Sequence, residues 1–278
     1  MHNAVICVIA KNENIYINEW VEYNLALGFD HIYIYDNNTS KTEFVGNFIK
    51  NKDKVTIINI NDDYRYHLQT FYFKAFYKEY KNTFNWVAFI DIDEFIDLNN
   101  EYKDINEFLN QEKFKDINQI LIKWKLFGDD GLIERDLSIP VHEFFKIPVS
   151  EIRPKTNLVK AIIKGNIATE LLGSHGHHIH FVADENDKPW EAAFPSGKKL
   201  LGTYQLEPGQ YLGETIFINH YITKTLSEFL TYKWPRGDIF SPTHTYTLQY
   251  YTAVNNWTPA HAKYFKDWNN QNFKKWKL

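Results

Sequence analysis

The feature that most constrains the fold is an alternation of short apolar runs with helical patterns through the first half of the chain. "AVICVIA" (Ala4 to Ala10) is a strand pattern, and in the "NENIYINEWVEYNLALGF" that follows, Ile17, Trp20, Val21 and Leu25 recur at helical spacing. Gly28 stands where that helix must stop. "HIYIY" (His31 to Tyr35) and "VTIINI" (Val55 to Ile60) repeat the strand pattern, and "RYHLQTFYFKAFYKEY" reads as a long helix. "WVAFI" is a fourth strand and, after a short helix near Ile105 to Leu109, "INQILIKW" (Ile117 to Trp124) is a fifth. Strands separated by helices need right-handed crossovers, which predicts an α/β fold: a mostly parallel sheet covered on both faces.

In such a sheet ligands bind beyond the carboxyl ends of the strands. Polar clusters fall at three of those ends: "KNE" after the first strand, "DNNTS" after the second, "DIDE" after the fourth. The last cluster sets Asp91, Asp93, Glu94 and then Asp97 directly behind an apolar run. Carboxylates massed there repel one another and are costly to bury unpaired, so they require a counter-charge. A divalent cation supplies one. Hard oxygen ligands suit Mg²⁺ or Mn²⁺, which bind substrate phosphates as well as carboxylates. The competing reading makes Asp91 or Asp93 the cap of a following helix.

Composition narrows the rest. The hydrophobic content is 44% and the charged content 24%, as in soluble globular proteins. A net charge of −4 gives no field favouring nucleic acid. The lone cysteine, Cys7, excludes a disulfide framework and suggests a reducing, cytoplasmic setting. No stretch reaches the roughly 20 apolar residues of a membrane span.

Five segments in order carry a resemblance: "IAKNENIYINEWVEYNLALGFDHIYIYDNNTS", "WVAFIDIDEF", "KWKLFGDDGL", "VKAIIKG" and "NHYITKTLSEFLTYKWPRG". Together they resemble the family-2-like bacterial glycosyltransferases related to glycosyltransferase family 92, from about Ile6 to Gly237. The resemblance implies a GT-A, Rossmann-like fold, a Mn²⁺ or Mg²⁺ cofactor, and inverting transfer of a hexose from a UDP-sugar. Surface-polysaccharide or lipooligosaccharide synthesis, with a glycan or lipid-linked acceptor, is the matching setting. The domain is expected over 1–240, with a C-terminal extension over 241–278.

Residue by residue, the resemblance places Asn12, Glu13, Asp36, Asp91 and Ile92 at the donor nucleotide, with Asp91 and Asp93 as the metal motif. Arg65 and Gln69 are candidates for the donor sugar, and Lys224 and Arg236 for phosphate or acceptor contacts; Lys160 also lies in a matching segment. In "WKLFGDDG", Asp129 is the first candidate for the base and Asp130 the second, with Glu143 behind them; Trp124 and Phe127 are candidate acceptor platforms or core residues. One histidine should complete the metal site. His175 fits best within the cluster His175, His177, His178 and His180, and His220 competes with it. Four histidines without a cysteine do not match a closed zinc site.

Two rival functions have different signatures. A nucleotidyltransferase would begin with a Gly-rich phosphate loop, and "IAKNENIY" has no glycine. A non-catalytic sugar- or membrane-binding protein would not keep Asp91, Asp93 and Asp129 together. The tail "HAKYFKDWNNQNFKKWKL" mixes five lysines with Tyr264, Phe265, Trp268, Phe273 and Trp276. It reads either as a peripheral membrane-binding helix or as a helix packing its aromatics on the domain.

Overall fold

The computed structural model describes residues 1–60, 68–149, 158–167, 191–200, 213–237 and 248–272, with backbone alone at 172–173 and 180–181. At its centre is β1 (His2–Ala10), whose side chains divide with period two between two cores. Ala4, Ile6, Val8 and Ala10 enter one core, Val5 and Cys7 the other. On the first face lies α1 (Asn14–Ala26), which buries Tyr16, Ile17, Trp20 and Val21 and is followed by Gly28 at φ 103°. Then come β2 (His31–Asp36), β3 (Val55–Asn59) and α2 (Leu68–Tyr80), whose Phe73, Phe76 and Tyr77 fill the second core.

Next are β4 (Phe84–Phe89), β5 (Glu94–Asp97), α3 (Ile105–Leu109), β6 (Gln119–Phe127), α4 (Val141–Phe144) and β7 (Val159–Lys164). Three two-residue strands follow: β8 (Leu172–Gly173), β9 (His180–Phe181) and β10 (Ala192–Ala193). Beyond β11 (Phe217–Tyr221), α5 (Leu226–Glu228) runs through a π-helical turn, Phe229–Lys233, into α6 (Trp234–Arg236). The chain continues with α7 (Leu248–Thr252) and α8 (Pro259–Asn272).

Among the described residues one nine-stranded sheet has the order β3-β2-β1-β4-β7-β6-β11-β5, with β10 beside β6. β3, β2, β1 and β4 are mutually parallel, as are β6 and β11, so the mostly parallel α/β expectation holds. The departures are β7, antiparallel to both β4 and β6, and β5, antiparallel to β11. β7 was hidden in sequence because Lys160 and Lys164 interrupt its apolar pattern. β6 changes partners along its length. Gln119 to Lys123 pair with β7, and from Trp124 onward the strand pairs with β11. The carboxyl ends of β1, β4, β6 and β11 therefore share one edge.

The acids at that edge do not cap a helix: the next element is β5, with Glu94 paired opposite His220. A third core joins Leu226, Phe229, Leu230 and Tyr251 to Trp234, Tyr250, Trp257, Tyr264, Phe265 and Trp268. Three of the tail aromatics, Tyr264, Phe265 and Trp268, thus pack on the domain, as the second of the two readings of the tail expected; Phe273 and Trp276 lie outside the described residues. No helix among the described residues is long and apolar enough to cross a membrane.

Candidate active site

Beyond β4 the chain turns through Asp91–Glu94. The Glu94 amide donates to the Asp91 carbonyl at 3.0 Å, and the Asp91 amide returns a 2.9 Å bond to Glu94 Oε2. Trp20 Nε1 donates to the Glu94 carbonyl at 2.9 Å and fixes the turn to α1. This geometry sends the Ile92 side chain into the first core, so any contact it makes with a donor would be through its backbone. Asp91 stays partly exposed, while Asp93 and Glu94 are buried.

Internal cations meet these acids. Lys160 Nζ, buried on β7, lies 2.8 Å from Asp91 Oδ2 and 3.6 Å from Glu94 Oε2. Burial opposes its charge, but the two carboxylates outweigh that and hold its pKa above the ordinary lysine value. Gln69 Nε2 donates to Asp91 Oδ1 at 2.6 Å, which makes it a positioner of Asp91. Lys233 Nζ donates to Asp93 Oδ2 at 3.0 Å, and His220 Nε2 lies 3.4 Å from Asp93 Oδ1. Asp93 is held well below the carboxylate range: burial works against its charge, and Lys233 and His220 overcome it. Burial dominates at Glu94 and pushes it well upward, with Asp91 and Asp93 adding to the effect. Burial also lowers the pKa of His220 against the pull of Asp93, which favours the neutral imidazole, the form that ligates metals.

The facing wall is built by the segment after β11. Thr225 and Glu228 form a capping box, each side chain bonding the other's backbone amide, and so start α5. Glu228 also takes Tyr16 Oη at 3.0 Å and Arg135 at 3.0 Å, both buried contacts. Lys224, at φ 55°, stands 4.3 Å from the centre of the Tyr16 ring; Asn12, at φ 54°, is on the opposite side. A bulky residue held at positive φ is strained and commonly marks a functional position. Asn12, Glu13, Thr223, Lys224, Lys233 and Arg236 line one cavity together with Tyr16, Glu228 and Tyr232. Arg236 pairs with Glu13 across it. Residues about 210 positions apart thus converge at the carboxyl ends of β1 and β11, next to the acid turn after β4.

A family model for glycosyltransferase family 92 matches residues 2–182. The chain belongs to glycosyltransferase family 92. A family 92 protein of Oryza sativa subsp. japonica is 28% identical over 107 residues, 34% of this chain and 16% of that protein, so the chain spans only a small part of that relative's length. Among solved structures, an active-site mutant of LgtC is 14% identical with a TM-score of 0.29, over 58% of this chain and 57% of that one. HddC from Yersinia pseudotuberculosis is 16% identical with a TM-score of 0.31, over 59% and 74% of the two chains.

Within this family 92 member, other expected site residues sit elsewhere. Asp36 is fully buried. Its oxygens accept from the Val45 amide at 2.8 Å and from the Asn38 amide and side chain at 3.0 and 2.8 Å, so it shapes its loop. Trp124 and Phe127 belong to the first core, the second of the two readings open to them. Trp124 also braces His220, with ring centres 4.2 Å apart. Arg65, His175, His177, His178 and the side chain of His180 lie outside the described residues.

The two acids after β6 differ sharply. Asp129 is 3% exposed; its Oδ1 accepts from the Gly131 amide at 2.8 Å, and Oδ2 from Tyr251 at 2.5 Å and His261 at 3.1 Å. Asp130 is only half-buried at φ 52°, and burial raises its pKa. The Asp129 carboxylate thus accepts from three internal donors, whereas Asp130 accepts from the Lys146 amide at 3.3 Å and remains partly exposed.

The metal motif fits a divalent cation in donor chemistry. Asp93 Oδ1 and His220 Nε2 lie 3.4 Å apart as an oxygen and a nitrogen donor, and Asp91 is on the same turn. Among the described residues no three such groups converge, so phosphate oxygens and water would complete the shell, as Mg²⁺ and Mn²⁺ usually require. Lys233 went unnoticed in sequence among 27 lysines. Its signal was the T-x-x-E capping box: from Leu226 the helical spacing puts Lys233 on the face shared by buried Leu226 and Leu230.

Proposed function

We propose that this glycosyltransferase family 92 member moves a hexose from a UDP-sugar to a glycan or lipid-linked acceptor, with inversion and with Mn²⁺ or Mg²⁺. The observation that carries the reading is the cavity where Lys224, Lys233 and Arg236 meet beside the Asp91–Asp93 turn. Its three basic side chains give it the charge an anionic diphosphate requires. Surface-glycan synthesis on the cytoplasmic side of a membrane is the setting that goes with it.

In this reading Asp93 and His220 would hold the cation, with Asp91 beside them, and the cation would offset charge growing on the departing diphosphate. Lys224 and Arg236 contribute fixed positive charge to the same group. Asp130 takes the acceptor hydroxyl's proton as the oxygen attacks the sugar C1. The bond from C1 to the diphosphate oxygen breaks on the opposite face, and its electron pair leaves with UDP. Asp129 holds the loop on which Asp130 sits.

Titration calorimetry tests the donor half of this proposal. UDP should bind with Mn²⁺, should bind far more weakly in chelator, and should lose the metal dependence in Asp93→Ala. Equal UDP affinity with and without metal would remove the cation from the reading. A donor-hydrolysis panel of UDP-hexoses then identifies the sugar.

A further inference from the structure

Lys233 sits where two demands on Asp93 conflict. Its Nζ is 3.0 Å from Asp93 Oδ2 and 2.5 Å from the Ile222 carbonyl, in a nearly closed environment. A buried, ionised Asp93 needs such a partner, because a carboxylate removed from water and left uncompensated is strongly unfavourable. Yet Asp93, with His220 3.4 Å away, is also where a divalent cation would be held. An ammonium and a divalent ion on one carboxylate repel each other strongly at that depth. Lys233 has a way out, since it lines the cavity already shared by Lys224 and Arg236. It is the last residue of the π-helical turn, a backbone form found mostly at functional sites.

We propose that Lys233 is a resident counter-ion for Asp93, displaced when a divalent cation binds, and that its freed ammonium then serves the nucleotide diphosphate in the adjoining cavity. The inference rests on the proposed donor chemistry and adds an order to it. Metal and Lys233 exclude one another at Asp93, while metal and diphosphate assist one another through Lys233. By linkage the assistance is reciprocal: bound diphosphate draws Lys233 off Asp93 and so tightens metal binding.

The test measures Mn²⁺ binding to the free protein from the paramagnetic resonance signal of unbound Mn²⁺, with and without UDP. Lys233→Met removes the competitor and should tighten Mn²⁺ in the absence of UDP by roughly tenfold, within the usual range of site coupling. Lys233→Arg keeps the charge and can grip Asp93 with two hydrogen bonds, so it should weaken Mn²⁺. Both variants should lose the mutual tightening of Mn²⁺ and UDP. A purely structural lysine predicts weaker Mn²⁺ in both, and unchanged or weaker Mn²⁺ in a folded Lys233→Met overturns the proposal. Should Lys233→Met fail to fold, the coupling in Lys233→Arg decides: a variant that keeps the mutual tightening of Mn²⁺ and UDP overturns the proposal. If the Mn²⁺ shifts appear but no uridine nucleotide binds to any form, the counter-ion exchange stands and the UDP-sugar reading falls.

Discussion

Tyr251 Oη donates to Asp129 Oδ2 across 122 positions of sequence, joining α7 to the loop that follows β6. His261, fully buried on α8, reaches the same oxygen at 3.1 Å and is oriented by Thr258 Oγ1 at 2.6 Å from its Nδ1. Asn255 completes the seam: its Oδ1 accepts the Asp129 amide at 2.7 Å, and its Nδ2 donates to Thr223 Oγ1 at 3.0 Å. Gly128 is what admits Asn255, because a Cβ there would lie 2.5 Å from Asn255 Oδ1. Thr223 borders the cavity. The C-terminal helices thus brace the site from behind.

Tyr251→Phe should therefore cost about 1–3 kcal/mol, the usual penalty for removing a donor from a buried carboxylate. Deleting residues after Pro259 removes His261 along with Tyr264, Phe265 and Trp268 from the third core, and should lower the melting temperature far more. Thermal unfolding by circular dichroism checks both. Liposome sedimentation of the same truncation isolates any membrane contribution from exposed Lys263 and Lys266 and from the residues beyond Asn272. An unchanged melting temperature would show that the seam is not used.

The acids after β6 should separate by phenotype. Asp130→Asn should retain folding, UDP affinity and Mn²⁺ affinity while losing roughly 100-fold or more in transfer, the scale of general-base catalysis. Asp129→Asn places an amide against Tyr251, His261 and the Gly131 amide, and should lose stability first, with transfer falling in step. Stopped-flow transfer set against melting curves distinguishes the two. Full transfer by Asp130→Asn would move the base role elsewhere, with Glu143 next in order.

Lys160→Met should destabilise by about 3–5 kcal/mol, since it leaves Asp91 and Glu94 without their buried cation. Adding Asp91→Asn should restore part of that loss, as coupled neighbours do. Urea unfolding of both variants measures it. A double-variant loss equal to the sum of the Lys160→Met and Asp91→Asn single losses would mean that the pair does not interact.

These relationships explain what could and could not be read from sequence. The strands and their common carboxyl edge were legible because β1, β2 and β4 carry uninterrupted apolar runs. β7 was not, because a strand containing a buried, ion-paired Lys160 looks polar by composition. Asp91 and Asp93 announced themselves through their place behind an apolar strand. Asp129 looked equally exposed beside its glycines, and nothing local shows that Tyr251 and His261 return to cover it. Lys233 was invisible for the same reason: its burial depends on a partner 140 positions away.

Lys224 gives the site a pH dependence whose sign can be worked out. Burial lowers its pKa from the ordinary lysine value to about 8; Lys233 pushes the same way, while Asp93, Glu228 and Glu19 pull it back up. An anion needs the ammonium form. UDP affinity should therefore be steady below pH 8 and weaken above it, approaching roughly tenfold per pH unit as the ammonium is lost. Stability responds with the opposite sign. The folded chain holds fewer protons on this group than the unfolded chain between pH 8 and the ordinary lysine value, so folding gains from it as pH rises through that window. Lys224→Arg, which stays charged, should abolish the fall in affinity, and Lys224→Met should bind weakly at every pH. Calorimetric titrations of UDP from pH 6.5 to 9.5 at fixed ionic strength would show it. A fall that persists unchanged in Lys224→Arg would assign the titration to a different group and take Lys224 out of the anion site.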